Sequence, residues 1–168
     1  FYLDLAEKAR PELVGPQQAA WLKRIDADAE NLLAAHARCE HADRGAELGL
    51  RLVWSMRRYL MLRGLLGLGH RMTVEALARP GAQQRDEARC RVVCDAGQLA
   101  SFMGRYQEAR THLEESLAIA REIGSKQCIA RPLQPLALAC LGLGDRERAR
   151  GHLVEALGEG RDLLGDLD

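Results

Sequence analysis

Apolar residues recur along almost the whole chain at three- and four-residue spacing, the period of amphipathic helices. Leu3, Leu5, Ala6 and Ala9 mark a first helix over residues 1–10, which Pro11 ends. Gly15-Pro16 then opens a longer helix, since proline is tolerated in a first turn. Trp21, Ile25 and Leu32, with Leu22, Ala29 and Leu33 beside them, form its apolar stripe. Asp43 is the expected N-cap of the next helix, which runs through Leu48, Leu52, Met56 and Tyr59 to a stop near Gly64. From there the order is helix, glycine turn, helix. The second helices of the successive pairs are expected over about 66–79, 106–123 and 146–163, closed by Pro80-Gly81, Gly124-Ser125 and Gly165.

This alternation has a fixed period. Gly64, Gly104 and Gly144 are spaced 40 residues apart, and the following residues repeat in register: Glu75-Ala76-Leu77, Glu115-Ser116-Leu117, Glu155-Ala156-Leu157. Gly69, Ala109 and Ala149 form a small-residue column that lets the second helix of a pair approach the first. Gly97 and Ala137 are its partners on the first helices, while Arg57 departs from that rule. Leu77, Leu117 and Leu157 are placed to bury against a following pair. Self-similarity at such a period marks a stacked repeat, in which each pair leaves a face for its neighbour to cover.

The columns carry a family resemblance. The stretches from Cys90 to Gly124 and from Ala130 to Leu164 resemble tetratricopeptide repeats. Gly97, Gly104, Tyr106, Ala109, Leu113 and Leu117 stand at that motif's small, glycine, tyrosine, alanine and large apolar positions. The second stretch keeps Leu136, Ala137, Gly144, Ala149, Leu153, Ala156 and Leu157 but has Arg146 at the tyrosine position. The unit from Leu50 is weaker, with Leu66 and Thr73 at two of the motif positions. The resemblance implies an all-α, right-handed α-solenoid of helix pairs over residues 43–168, preceded by a helical linker or cap over residues 1–42 and packed with it as one domain.

The N-terminal third resembles a second context. Tyr2-Leu3, Glu7, Leu13, Gly15-Pro16-Gln17-Gln18-Ala19-Ala20-Trp21-Leu22 and Asp28-Ala29-Glu30-Asn31-Leu32-Leu33-Ala34-Ala35 are similar to the segment that follows the ATPase module in large bacterial signalling proteins. Those include transcription regulators and some serine/threonine kinases and adenylate cyclases. The chain, which opens on Phe1 inside a helical pattern, is expected to be a segment of such a longer protein. No G-x-x-x-x-G-K-S/T motif occurs in it, so nucleotide hydrolysis is not assigned to these residues.

Composition narrows the function. Lys+Arg and Asp+Glu balance at 24 each, which gives no electrostatic reason to expect nucleic acid or an anionic membrane as partner. The five cysteines lie in helical patterns and read as reduced, mostly buried thiols of a cytoplasmic protein. No apolar run approaches the roughly 18 residues of a membrane span.

Candidate chemistry is sparse. Cys90 and Cys94 sit four apart with His112 on the paired helix, and His36, Cys39 and His41 lie close in sequence, but neither set has a compact metal-ligand spacing. His112, His152 and Met72 share one column, which reads as a packing position. Glu75, Glu115 and Glu155 read as an exposed ridge. No nucleophile–base constellation is legible, and no enzyme activity, cofactor or metal is expected.

The column with most functional content is Arg51, Arg91 and Arg131, each near the start of a first helix. The resemblance places this register on a concave groove, together with Trp54, Arg58, Met61, Gln98, Ser101, Phe102, Gln134 and Leu138. Three guanidiniums stepped along a groove could grip carboxylates, with Trp54 and Phe102 as apolar anchors; an arginine-rich chain also produces such a column by chance. Pro132 and Pro135 are expected to delay the last first-helix to about Arg131, or to mark a hinge. The reading that follows is a protein-interaction module, the regulatory or sensor segment of a bacterial signalling protein. Its partner would be a protein or peptide, or another domain of the same parent, and an exposed end face would permit a homodimer. A receptor for a small ligand or peptide in the same groove is the alternative.

Overall fold

The computed structural model describes residues 1–165, and these are all helical in architecture: nine α-helices and one 3-10 helix, joined by short turns. The order is α1 (Tyr2–Glu12), α2 (Gln18–Ala27), α3 (Ala29–Arg38), the 3-10 helix (Cys39–His41), α4 (Gly45–Leu62), α5 (Leu66–Ala78), α6 (Glu87–Phe102), α7 (Tyr106–Glu122), α8 (Lys126–Gly142) and α9 (Arg146–Gly165). Two compact units divide the chain, the first over Phe1–Gln83 and the second from Gln84 onward. No described helix is long and apolar enough to cross a membrane.

Four turns share one construction. Gly64, Gly104, Gly124 and Gly144 take φ of +70°, +75°, +66° and +80°, the left-handed region that residues with a Cβ enter at a cost. After α6, the Arg105 N–H donates to the Ala100 carbonyl at 2.9 Å and the Gly104 N–H to the Ser101 carbonyl at 3.0 Å, the paired bonds that satisfy the last carbonyls of a helix. The same pairs recur at Leu65→Leu60 and Gly64→Met61, Ser125→Ala120 and Gly124→Arg121, and Asp145→Cys140 and Gly144→Leu141. The 40-residue spacing is therefore a spacing of helix stops.

In the second unit, consecutive helices pack in pairs, α6 on α7, α7 on α8 and α8 on α9. Small residues set the approach. A Cβ on Gly97 would lie 2.5 Å from Leu113 Cγ and 3.0 Å from the Ala109 carbonyl oxygen, so α6 and α7 meet at that pair. Ala137 packs with Cys140 and Ala149 at the next interface. Cys94, Ala100, Leu113, Leu117, Leu133 and Leu136 form the main core. Tyr106 lays its ring on Gly142, where a Cβ would stand 2.5 Å from ring atoms. Leu117 is buried in the core that α8 contributes to, whereas Leu157, in the same column, is 65 % exposed and has no covering helix among the described residues.

The first unit departs from several expectations. Pro11 lies inside the last turn of α1 and does not end it. It removes one N–H, the donor to the Glu7 carbonyl, while burial of Leu5, Ala6, Ala9 and Leu13 on one face holds the turn. The expected long second helix is two helices broken at Asp28 (φ −110°, ψ 12°), whose carboxylate accepts from the Asn31 amide at 3.2 Å. A short acidic side chain that bonds nearby groups favours such a break. Asp43 does not cap α4; Arg44 holds that position, and its guanidinium bonds the Glu47 carboxylate at 2.7–3.0 Å across the first turn.

The last first-helix also differs. Helix α8 starts at Lys126, where the Ser125 hydroxyl accepts from the Cys128 N–H, and it runs through both Pro132 and Pro135. The prolines withdraw the helical donors of the Cys128 and Arg131 carbonyls. Burial of Leu133, Leu136, Ala137, Ala139 and Cys140 outweighs those two bonds. Glu115 and Glu155 form no free ridge: Glu115 accepts from Arg89 at 2.7 Å and Glu155 from Arg121, each tying two helices together.

Candidate functional site

One face of α6 and one of α8 line a groove in the second unit. Gln98, Ser101 and Phe102 project from α6; Arg131, Gln134, Pro135 and Leu138 project from α8. Their spacing of three and four residues keeps each set on one helical face. Together they surround a cavity of about 350 Å³. Phe102 is 56 % exposed and Leu138 51 %, so two large apolar side chains stand out on the groove face.

The arginine at the end of this groove has an internal partner. Arg131 donates to Asp95 Oδ1 at 2.6 Å, and Asp95 is 2 % exposed. Burial alone would lower the Arg131 guanidinium, but the Asp95 carboxylate and, after it, the Cys94 sulfur together offset this and hold the group above its ordinary value. The other two arginines of the column are likewise engaged. Arg51 makes a two-pronged bond to Glu7 on α1, at 2.8 and 3.0 Å, and Arg91 pairs with Glu87 one turn earlier. Trp54 carries the Arg10 guanidinium 3.3 Å above its ring. The face of α4 that bears Arg51 and Trp54 thus packs on α1, while Arg58 is exposed and Met61 half-buried on the same helix.

The structure therefore brings together Gln98, Ser101, Phe102, Arg131, Gln134 and Leu138, and leaves Arg91 outside that lining. Arg51, Trp54, Arg58 and Met61 belong to the first unit. Sequence reasoning missed two contributors. Pro135 was legible only as a helix breaker, and it forms groove wall. Asp95 stands in the run 92–97, which is buried throughout, and a lone acid in such a run signals a buried cationic partner.

The candidate ligand sets have other uses. His36 Nε2 lies 3.0 Å from the Met72 carbonyl and 3.1 Å from the Arg79 guanidinium; burial, then Arg79, hold the imidazole below its usual range. Cys39 donates to the Ala35 carbonyl, Cys90 to the Ser116 carbonyl, and Cys94 accepts from Gln98. All five thiols are buried and none is in a disulfide, and burial pushes Cys90 up to about 11. Because the thiolate is the reactive form, a native chain treated with a disulfide reagent at pH 8 is expected to leave all five essentially unreacted, against full reaction in denaturant. Fast reaction of any one in the native chain would contradict this packing.

No curated protein and no solved structure matches the chain. Residues 92–158, which contain the groove and the pairs that build it, match the family model of the tetratricopeptide repeat. The segment is a tetratricopeptide-repeat segment, and such repeats make protein–protein interaction modules.

Proposed function

We propose that the chain is the regulatory, partner-binding segment of a larger bacterial signalling protein, working in the cytoplasm, and that it receives its protein partner in the α6/α8 groove. The exposure of Phe102 and Leu138 on the groove face carries the site assignment. Interface anchors are large apolar side chains at the centre of a patch, rimmed by polar groups, and Gln98, Ser101 and Gln134 supply that rim. The parent context rests on the resemblance of the first 40 or so residues to the segment after an ATPase module. The partner is a separate protein or another domain of the parent, whose contact biases a two-state assembly.

Two observations test this. The encoding locus should specify an ATPase, kinase or cyclase module on the N-terminal side of Phe1; a different neighbour removes the signalling context. In the parent protein, a photo-crosslinking residue at Leu138 should join the segment to its partner, and one at the exposed Thr111 of α7 should not. Crosslinking from Thr111 alone would place the interface on the other side of the repeat.

A further inference from the structure

We infer that the α6/α8 groove selects an uncharged peptide segment bearing an apolar side chain, and discriminates against acidic segments. The inference rests on the groove being the docking site and names the chemistry of what docks there. Its first support is charge. Arg131 is the charged side chain among the groove-lining residues, and its counter-ion is built in: the carboxylate of Asp95, 2 % exposed, at 2.6 Å. An incoming carboxylate would meet a guanidinium whose charge Asp95 already compensates, and drawing it away would leave Asp95 buried and uncompensated, the costly way to break such a pair. The arginine that the sequence offers as a grip is already gripped.

The second support is the rest of the wall. Phe102, Pro135 and Leu138 present apolar surface, and Gln98, Ser101 and Gln134 present amides and a hydroxyl. Those groups match a peptide's own N–H and C=O groups and one aliphatic side chain, with no charge to answer a charge.

The third is a backbone acceptor. In a helix, the carbonyl of one residue points along the axis to the N–H four residues on. Pro135 has no N–H to give Arg131. Arg131 and Pro135 both line the groove. A docked segment that turns one N–H toward the Arg131 carbonyl oxygen supplies the bond that proline withholds. This gives Pro135 a role in recognition: it opens an acceptor on the wall at the cost of one helical bond.

The test uses the whole chain and two synthetic pools of short fluorescent peptides with equal content of leucine and isoleucine. In one pool the remaining positions are Gly, Ser and Gln; in the other half of them are Asp or Glu. The uncharged pool is expected to bind about tenfold or more tighter, and its best peptide to keep its affinity as salt rises. N-methylation along that peptide should reveal one position whose N–H is required. Pro135→Ala, which returns the helical donor and should leave the fold intact, is expected to weaken binding about three- to tenfold, one hydrogen bond's worth, and to abolish sensitivity to that N-methyl group. Preference for the acidic pool, binding of neither pool, or unchanged affinity and N-methyl sensitivity in Pro135→Ala would overturn the inference. Acidic peptides whose binding is lost in Leu138→Ala would overturn the selectivity and leave the groove as docking site. Uncharged peptides that bind Phe102→Ala and Leu138→Ala undiminished would remove the groove itself.

Discussion

Replacing Gly45 with alanine is expected to destabilise the chain by about 3 kcal/mol, the upper end of what overpacking costs. A Cβ at this position would stand 1.6 Å from the Cys39 carbonyl oxygen and 2.7 Å from its carbonyl carbon. Both atoms are backbone, so no rotamer change relieves the contact; the 3-10 helix (Cys39–His41) must move off the start of α4. The helix-forming preference for alanine over glycine, about 1 kcal/mol, works in the opposite direction and is too small to offset the clash. Gly151→Ala is the internal control. Gly151 lies inside α9 with no heavy atom beyond its own helical backbone and chain neighbours within 4 Å of the added carbon, so it should gain roughly 0.5–1 kcal/mol from reduced chain entropy. Urea unfolding of the two variants checks both signs. Equal effects would mean that the contact between Cys39 and Gly45 does not constrain the first unit.

Arg131→Met is expected to cost about 3–5 kcal/mol, because it strands the buried Asp95 carboxylate that the guanidinium neutralises. Loss of the pair as a whole should cost much less. With Asp95→Leu added, both partners are apolar, and the double variant is expected to recover most of the stability. The arithmetic is a double-mutant cycle on unfolding free energies: a large coupling identifies Arg131 as a staple between α6 and α8. Additive single effects would show that Arg131 is not committed to Asp95, and would make it available to an acidic partner.

The repeat was legible because its determinants are local. A glycine that stops a helix in the left-handed region does so through its own φ, and Gly64, Gly104 and Gly144 declare their turns by identity and spacing alone. The small columns were legible for a similar reason: Gly97, Ala109, Ala137 and Ala149 are placed by helical period against one another. What escaped the sequence depends on partners outside the residue's own helix. Nothing local distinguishes Gly45 from other helix-start glycines, since its need arises from the carbonyl of Cys39. Arg51 reads as a free groove cation until Glu7 is seen across from it. Helix α8 survives two prolines because of the side chains it buries, a tertiary gain that a local helix rule does not weigh.

The groove was half legible for the same reason. Phe102 and Leu138 fall on it by register, while its charge balance needs Asp95 and its acceptor needs the meeting of Pro135 with the cavity wall. Register gives position along a helix face. It does not give the counter-ions beneath it.

Docking in the α6/α8 groove is tested most directly by where a bound segment touches the second unit. Amide shifts of the isotope-labelled chain, followed as the best uncharged peptide is added, resolve this residue by residue. The expected result is a set of perturbations at Gln98, Ser101, Phe102, Gln134 and Leu138, with Thr111, Ala118 and Val154 on the opposite helices unmoved. Perturbations confined to α7 and α9, with the α6/α8 face unchanged, would contradict it.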